Sequence, residues 1–226
     1  MKKGIFSILF IISVLGVFSG ILFHIKWLDY VCKPMIMVSI AGYFLLNSKN
    51  IDKSVINFAL FAFLFSLIGD SFLMFTKNGI LFFLLGLSSF LLAQIFYIYL
   101  FQQTIKIEEG KSFLQIKPLF LIGYFVYGAI VYSLLFNQLD TSLKIAVFVY
   151  MLAIMGMSAM ALNRYKVVSS LSFLMVFCGS ILFVISDSLI ALDKFLIPIP
   201  NDRLFVMSTY IAAQFLIMKG ILKQFE

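Results

Sequence analysis

The sequence predicts an all-α protein that crosses a lipid bilayer with about eight helices, and three observations predict it. Hydrophobic residues make up 63% of the 226 and charged residues only 12%, where a soluble domain carries roughly 25% charged residues. Mean hydropathy is +1.10. The apolar residues also fall into eight stretches, each close to the ~20 residues that a helix rising about 1.5 Å per residue needs to cross a hydrocarbon core about 30 Å thick. So few polar side chains cannot cover a water-exposed globule, whereas lipid makes no such demand.

Breaks at charges, Asn, Gly and Pro set the segments. The first runs from Ile5 to Phe23; Lys2 and Lys3 ahead of it resemble the start of a signal peptide. It is long enough to span and no A-x-A-like cleavage site follows, so it reads as a retained helix. The second, Leu28 to Leu46, carries Lys33-Pro34, and a proline that removes an amide and restricts the residue before it predicts a kink there. The third is Val55 to Phe75 and the fourth Ile80 to Phe101. Pro118 suits the first turn of the fifth, Pro118 to Phe136. Leu143 to Leu162, Ser169 to Leu192 and Leu204 to Leu222 complete the set.

A net charge of +7 would suggest nucleic acid in a soluble chain, but no basic stripe or aromatic-basic interleaving marks one face, so that partner is not expected. The cations sit between apolar runs and report orientation instead. With the N-terminus inside, Lys2, Lys3, Lys49, Lys53, Lys106, Lys111, Lys117, Arg164, Lys166, Lys219 and Lys223 fall at inner ends, eleven of 17. Lys26, Lys33, Lys77, Lys144, Lys194 and Arg203 fall at outer ends. The excess predicts a multi-pass protein of the cell membrane with both termini cytoplasmic. Cys32 and Cys178 lie in or beside apolar runs, read as small packing residues, and support neither a disulfide framework nor a metal site.

An internal repeat is visible. The third span reads FSLIGDSFLMF around Asp70 and the seventh FVISDSLIALDKF around Asp187, 117 residues later. The following span holds LAQ ending at Gln94 in one case and AAQ ending at Gln214 in the other, 120 residues apart. Two four-helix halves, 1–105 and 112–226, would make a single transmembrane domain of parallel repeats with an axis along the membrane normal. That symmetry predicts equal depth for Asp70 and Asp187 and a cavity that both acids share.

Charged side chains inside a span are expensive and usually face protein or a water-filled cavity. Here they are Asp70, Asp187 and, nearer the outer interface, Lys33. Lys33 either pairs with an aspartate, holding it ionised, or snorkels to the interface. The aspartates either lock helices together through hydrogen bonds or do chemistry, one staying protonated while the one near Lys33 stays ionised. Tyr97, Tyr150 and Tyr210, with Ser71, Ser186, Ser188, Gln94 and Gln214, are placed to donate into such a cavity. Each alone reads more simply as an interfacial anchor or an interhelical bridge. The one histidine, His24, ends the first span, which argues against a Ser-His-Asp triad, and one His with two separated Cys argues against zinc. No metal or cofactor is expected. Gly69-Asp70-Ser71 is superficially like a lipase signature but sits within an apolar helix rather than at a strand-to-helix turn.

The residues resemble the lysoplasmalogenase or YhhN-like family of membrane alkenyl ether hydrolases with about eight spans. The resemblance covers most of the chain and rests on Lys33-Pro34, on Gly69-Asp70 with Phe72-Leu73, on Gly86, Phe90 and Tyr97, and on Gly179, Leu182 and Phe183 leading to Ser186-Asp187 with Leu189 and Ala191. One position departs: Gln94 follows Ala93 where many members have His, so no imidazole is available there. The resemblance implies hydrolysis of the vinyl ether of lysoplasmalogen, a lysophospholipid held in membrane lipid, to a fatty aldehyde and a glycerophospho-alcohol.

It also implies Asp70 and Asp187 as the active-site pair. Vinyl ethers are hydrolysed by protonation at carbon, which gives an oxocarbenium ion that water captures. By analogy with glycoside hydrolysis one aspartate donates the proton while the other stabilises the cation and orients water. The sequence does not say which is which; Asp187 is assigned the acid role for testing. Lys33 or Arg203 would sit near the phosphate. Two other classes compete: a proton-coupled small-molecule transporter, which also uses repeats and intramembrane acids, and a non-catalytic lipid-binding protein.

Overall fold

A computed structural model of the chain describes residues 2–108 and 112–226, except the side chains of Lys2 and Lys3. Lys111, counted above among the inner cations, lies outside the described residues, as do those two side chains. The helices are α1 Lys2–Leu22, α2 Lys26–Asn47, α3 Lys53–Leu73, α4 Ile80–Ile107, α5 Phe113–Ile116, α6 Leu121–Phe136, α7 Thr141–Leu162, α8 Ser170–Phe195 and α9 Asp202–Gln224. Among the described residues there is no strand. All but the four-residue α5 are long and apolar enough to span a membrane, α6 with the 3-10 turn Pro118–Phe120 that leads into it. The chain is a multi-pass, all-α membrane protein.

The predicted spans and the observed helices differ chiefly at the ends. α4 continues past Phe101 to Ile107, because Gln102, Gln103 and Lys106 end the apolar run without ending the helix; they are good helix formers once out of lipid. α2 runs on through Pro34, as transmembrane helices allow where neighbours and local adjustment satisfy the freed backbone. α8 reaches Phe195, three residues beyond Leu192. Capping residues mark the starts: Asp52 accepts from the Ser54 amide at 2.7 Å, and Asp140 from the Leu143 amide at 2.8 Å.

Two compact units divide the chain, Met1–Tyr97 and Ile98–Gln224, with α4 passing from one to the other. In the first, α1 packs on α2 and α2 on α3. In the second, α6 packs on α7, α7 on α8 and, most extensively, α8 on α9. Glycine permits that last approach: a β-carbon at Gly179 would stand 2.9 Å from the Ala213 carbonyl oxygen, and one at Gly220 2.6 Å from Val176 Cγ2. Small residues at such a seam let backbones meet where lipid offers no hydrophobic drive to helix association.

Ile122, Phe125, Val126 and Ile130 of α6 are all more than half exposed, the outward apolar surface that a bilayer solvates. Cys178 is exposed too, and Cys32 is half-buried, so only Cys32, whose Sγ occupies the space that a β-carbon at Gly16 would need, fits the packing role expected of both.

Candidate active site

In the first unit Asp70 lies three residues before the end of α3 and is 2% exposed. Lys33 Nζ, from α2, stands 3.2 Å from Asp70 Oδ1. The lysine is therefore paired rather than extended to the interface, and a charged group so little exposed needs that partner.

The register between α3 and α4 is fixed by two close contacts. A β-carbon at Gly69 would meet the Phe90 ring at 2.6 Å, and one at Gly86 would meet Leu73 Cδ2 at 2.6 Å. Further along, the Phe63 and Tyr97 rings meet edge to face with centroids 6.3 Å apart. Between these contacts α4 places Gln94, wholly buried, with neither amide atom hydrogen-bonded to any described residue. A buried amide left so is destabilising by about 1–3 kcal/mol.

In the second unit Asp187 lies eight residues before the end of α8. The Tyr150 phenol of α7 donates to its Oδ2. Ser188, the next residue, shares a 2.9 Å hydrogen bond with the Tyr127 hydroxyl of α6 and donates to the Val184 carbonyl. Around this group opens a pocket of about 50 Å³ whose other lining residues include Val131, Leu135, Val147, Met151, Ile154 and Ala191. Polar atoms thus gather at Asp187 and the remaining wall is apolar.

The other expected residues make contacts of their own. Ser186 is buried and donates to the Val206 carbonyl at 3.2 Å, tying α8 to α9. Tyr210 packs edge-on against Phe183 and accepts from Gln214 Nε2 at 3.3 Å. Ser71 donates to the Leu67 carbonyl of its own helix, and His24 is exposed in the loop after α1. Arg203 is exposed at the start of α9. Among the described residues no group of His, Cys, Asp and Glu could hold a metal ion.

Two buried charges escape sequence reasoning. Asp29, in the first turn of α2, is 6% exposed, and a β-carbon at Gly20 would stand 3.1 Å from its Oδ1. Arg164, just past α7, is wholly buried. It donates to Thr104 Oγ1 at 3.1 Å, Ser172 Oγ at 2.9 Å and Gln224 Oε1 at 2.7 Å, joining the ends of α4, α8 and α9. Burial lowers its pKa from the ordinary guanidinium value, and Glu108 opposes that shift. Read in sequence, Arg164 is one more loop cation; only Thr104 and Gln224, polar residues at helix ends, hint at partners.

The YhhN family's sequence pattern matches residues 28–221. Lysoplasmalogenase TMEM86A of Bos taurus is 30% identical over 199 residues, which cover 85% of this chain and 75% of that protein. Lysoplasmalogenase TMEM86A of Homo sapiens is 32% identical over 157 residues, 68% of this chain and 60% of that one. Lysoplasmalogenase TMEM86B of Sus scrofa is 30% identical over 160 residues, 71% of this chain and 61% of that one. No solved structure matches the chain.

Proposed function

The chain belongs to the YhhN family, and on that premise we propose that it is a lysoplasmalogenase, an alkenyl ether hydrolase that converts a lysophospholipid bearing a vinyl ether into a fatty aldehyde and a glycerophospho-alcohol. The observation that carries the proposal, beside relatives of that name, is a carboxyl group with a phenol partner set into an otherwise apolar pocket between membrane helices. A vinyl ether is an apolar chain joined to a polar glycerol. The groups it needs are a proton donor at the junction and hydrocarbon on the chain side.

Asp187 delivers the proton to the outer vinyl carbon, leaving an oxocarbenium ion at the carbon attached to oxygen. Water adds there and gives a proton back to the Asp187 carboxylate, and the hemiacetal collapses to aldehyde and alcohol. The Tyr150 hydroxyl holds the carboxyl in place and takes up its hydrogen-bonding capacity once the proton has gone. Asp70 and Lys33 form an ion pair of the first unit, and the proton transfer is assigned to Asp187 with Tyr150. The excess of cations at inner helix ends supports both termini on the cytoplasmic side of the cell membrane.

The test is purified protein incubated with lysoplasmalogen in detergent, with aldehyde measured over time. Aldehyde release that stops in Asp187→Asn supports the proposal. Gradient-driven flux of a solute into proteoliposomes, without any aldehyde, would replace it with a carrier.

A further inference from the structure

The pocket beside Asp187 has a shape that says more than where the acid sits. α6 and α8 run antiparallel to α7 along it, so its layers can be followed on each helix. At the end near the α6–α7 connection lie Leu135, Val147 and Ala191. At the opposite, deep end lie Gly128, Ile154 and Val184. Each of these three is four residues from a member of a hydrogen-bonded layer: the Tyr124 hydroxyl donates to the Ser158 carbonyl at 3.1 Å, and the Ser158 and Ser180 hydroxyls share a bond of 3.1 Å. Four residues are about one helical turn, so this polar layer floors the apolar end. From Asp187 to the floor at Ser180 the distance along α8 is about 10 Å.

Gly128 is the one glycine in the lining. It is buried in a helix that is otherwise largely exposed. A β-carbon there would stand 3.2 Å from Met151 Sδ, so a methyl group requires a small shift of a flexible side chain and anything longer projects into the deep end.

We propose that the pocket among α6, α7 and α8 seats the substrate's hydrocarbon chain next to the vinyl ether, and that Gly128 sets how much chain its deep end accepts. This rests on the hydrolase reading, with Asp187 at the vinyl carbons. The occupant follows from the wall. One polar cluster stands beside an apolar trough, between helices whose outer faces meet lipid, which matches an amphiphile with one polar junction and one chain. Because the floor lies only about one helical turn below Gly128, the pocket holds the carbons nearest the reacting bond, and a longer tail leaves between α6 and its neighbours into the bilayer.

The experiment has two arms. In the first, kcat/KM is measured for a long-chain vinyl ether lysophospholipid and for one whose chain ends too close to the vinyl ether to reach Gly128. Gly128→Leu is expected to lower the long-to-short ratio about tenfold, the scale on which apolar pockets discriminate a few carbons. Val184→Phe, which fills the same space from α8, should do likewise and serves if the glycine variant fails to fold. Ile130→Phe, on the 54% exposed lipid face of α6, should leave the ratio unchanged. In the second arm, a saturated alkyl ether lysophospholipid carrying a carbene-generating group on its chain is photolysed with wild-type protein, and the labelled peptides are identified. Because this probe cannot be hydrolysed, binding is read apart from turnover.

Labelling on α6 and α7 around Gly128 and Met151, with the shifted ratio, supports the proposal. Labelling there without any aldehyde from the vinyl ether substrate would keep the chain seat and overturn the hydrolase reading. Hydrolysis with labelling elsewhere and unchanged ratios in both variants would overturn the seat and keep the hydrolase.

Discussion

Asp70 and Asp187 occur in similar stretches of sequence, yet the two units give them opposite company. Asp70 is almost wholly buried and faces an ammonium group 3.2 Å away. Asp187 is half-buried, accepts from a neutral phenol and borders an apolar pocket. An ion pair favours the charged form of a carboxyl group, whereas apolar surroundings favour its protonated form, the one that can donate. The proposal therefore gives the proton transfer to Asp187 and not to Asp70. The sequence alone assigns Asp187 the acid role without a reason; the contrast between Lys33 and Tyr150 supplies one.

The largest effect expected is at Asp187. Asp187→Asn should lower kcat by about 100-fold or more, the scale of a general acid, while thermal stability in detergent changes little because the isosteric amide still offers an oxygen to the Tyr150 phenol. A variant with near-normal turnover would erase the distinction between the two acids. Next comes Lys33→Met, which leaves Asp70 buried without its cation and should destabilise the protein by roughly 3 kcal/mol; Lys33→Met combined with Asp70→Asn should recover much of that loss. A double variant as unstable as the sum of the singles would mean that the pair is not coupled.

Tyr150→Phe should slow turnover about tenfold with little change in KM, since one positioning hydrogen bond of about 1.4 kcal/mol is lost in the reacting state. The smallest effect is at Gln94. Gln94→Leu removes an amide that none of the described residues satisfies and should raise stability by up to about 1 kcal/mol. If stability instead falls and turnover with it, Gln94 belongs to the binding surface after all.

Much of the fold is legible because membrane helices declare themselves by length and apolarity, and charges at their ends mark where lipid stops. The run into α6 from Pro118 follows from Pro118 itself, whereas α7 starts at Thr141, two residues before the expected Leu143, because Asp140 caps it. What stays hidden is contact. Lys33 and Asp70 are 37 residues apart, as are Tyr150 and Asp187, and periodicity in so uniform an alphabet does not say which faces of α2 and α3, or of α7 and α8, will meet. Arg164 shows the same limit: a cation after an apolar run counts as a loop residue until Thr104, Ser172 and Gln224 close around it. Ser186, Tyr210 and Gln214 are recognisable as polar residues within spans, but the sequence does not say that Ser186 donates to the Val206 carbonyl of α9, that Tyr210 packs on Phe183 or that Gln214 donates to Tyr210.

The central claim is that Asp187 supplies the proton to a vinyl ether carbon. Hydrolysis of lysoplasmalogen in deuterium oxide by the purified protein tests it most directly, since the donated hydron ends on the carbon next to the aldehyde carbonyl. Wild-type protein should give aldehyde carrying one deuterium at that carbon, at a rate lowered by a primary isotope effect, and Asp187→Asn should give almost none. Aldehyde formed by Asp187→Asn at the wild-type rate, with the same isotope effect, would contradict the account.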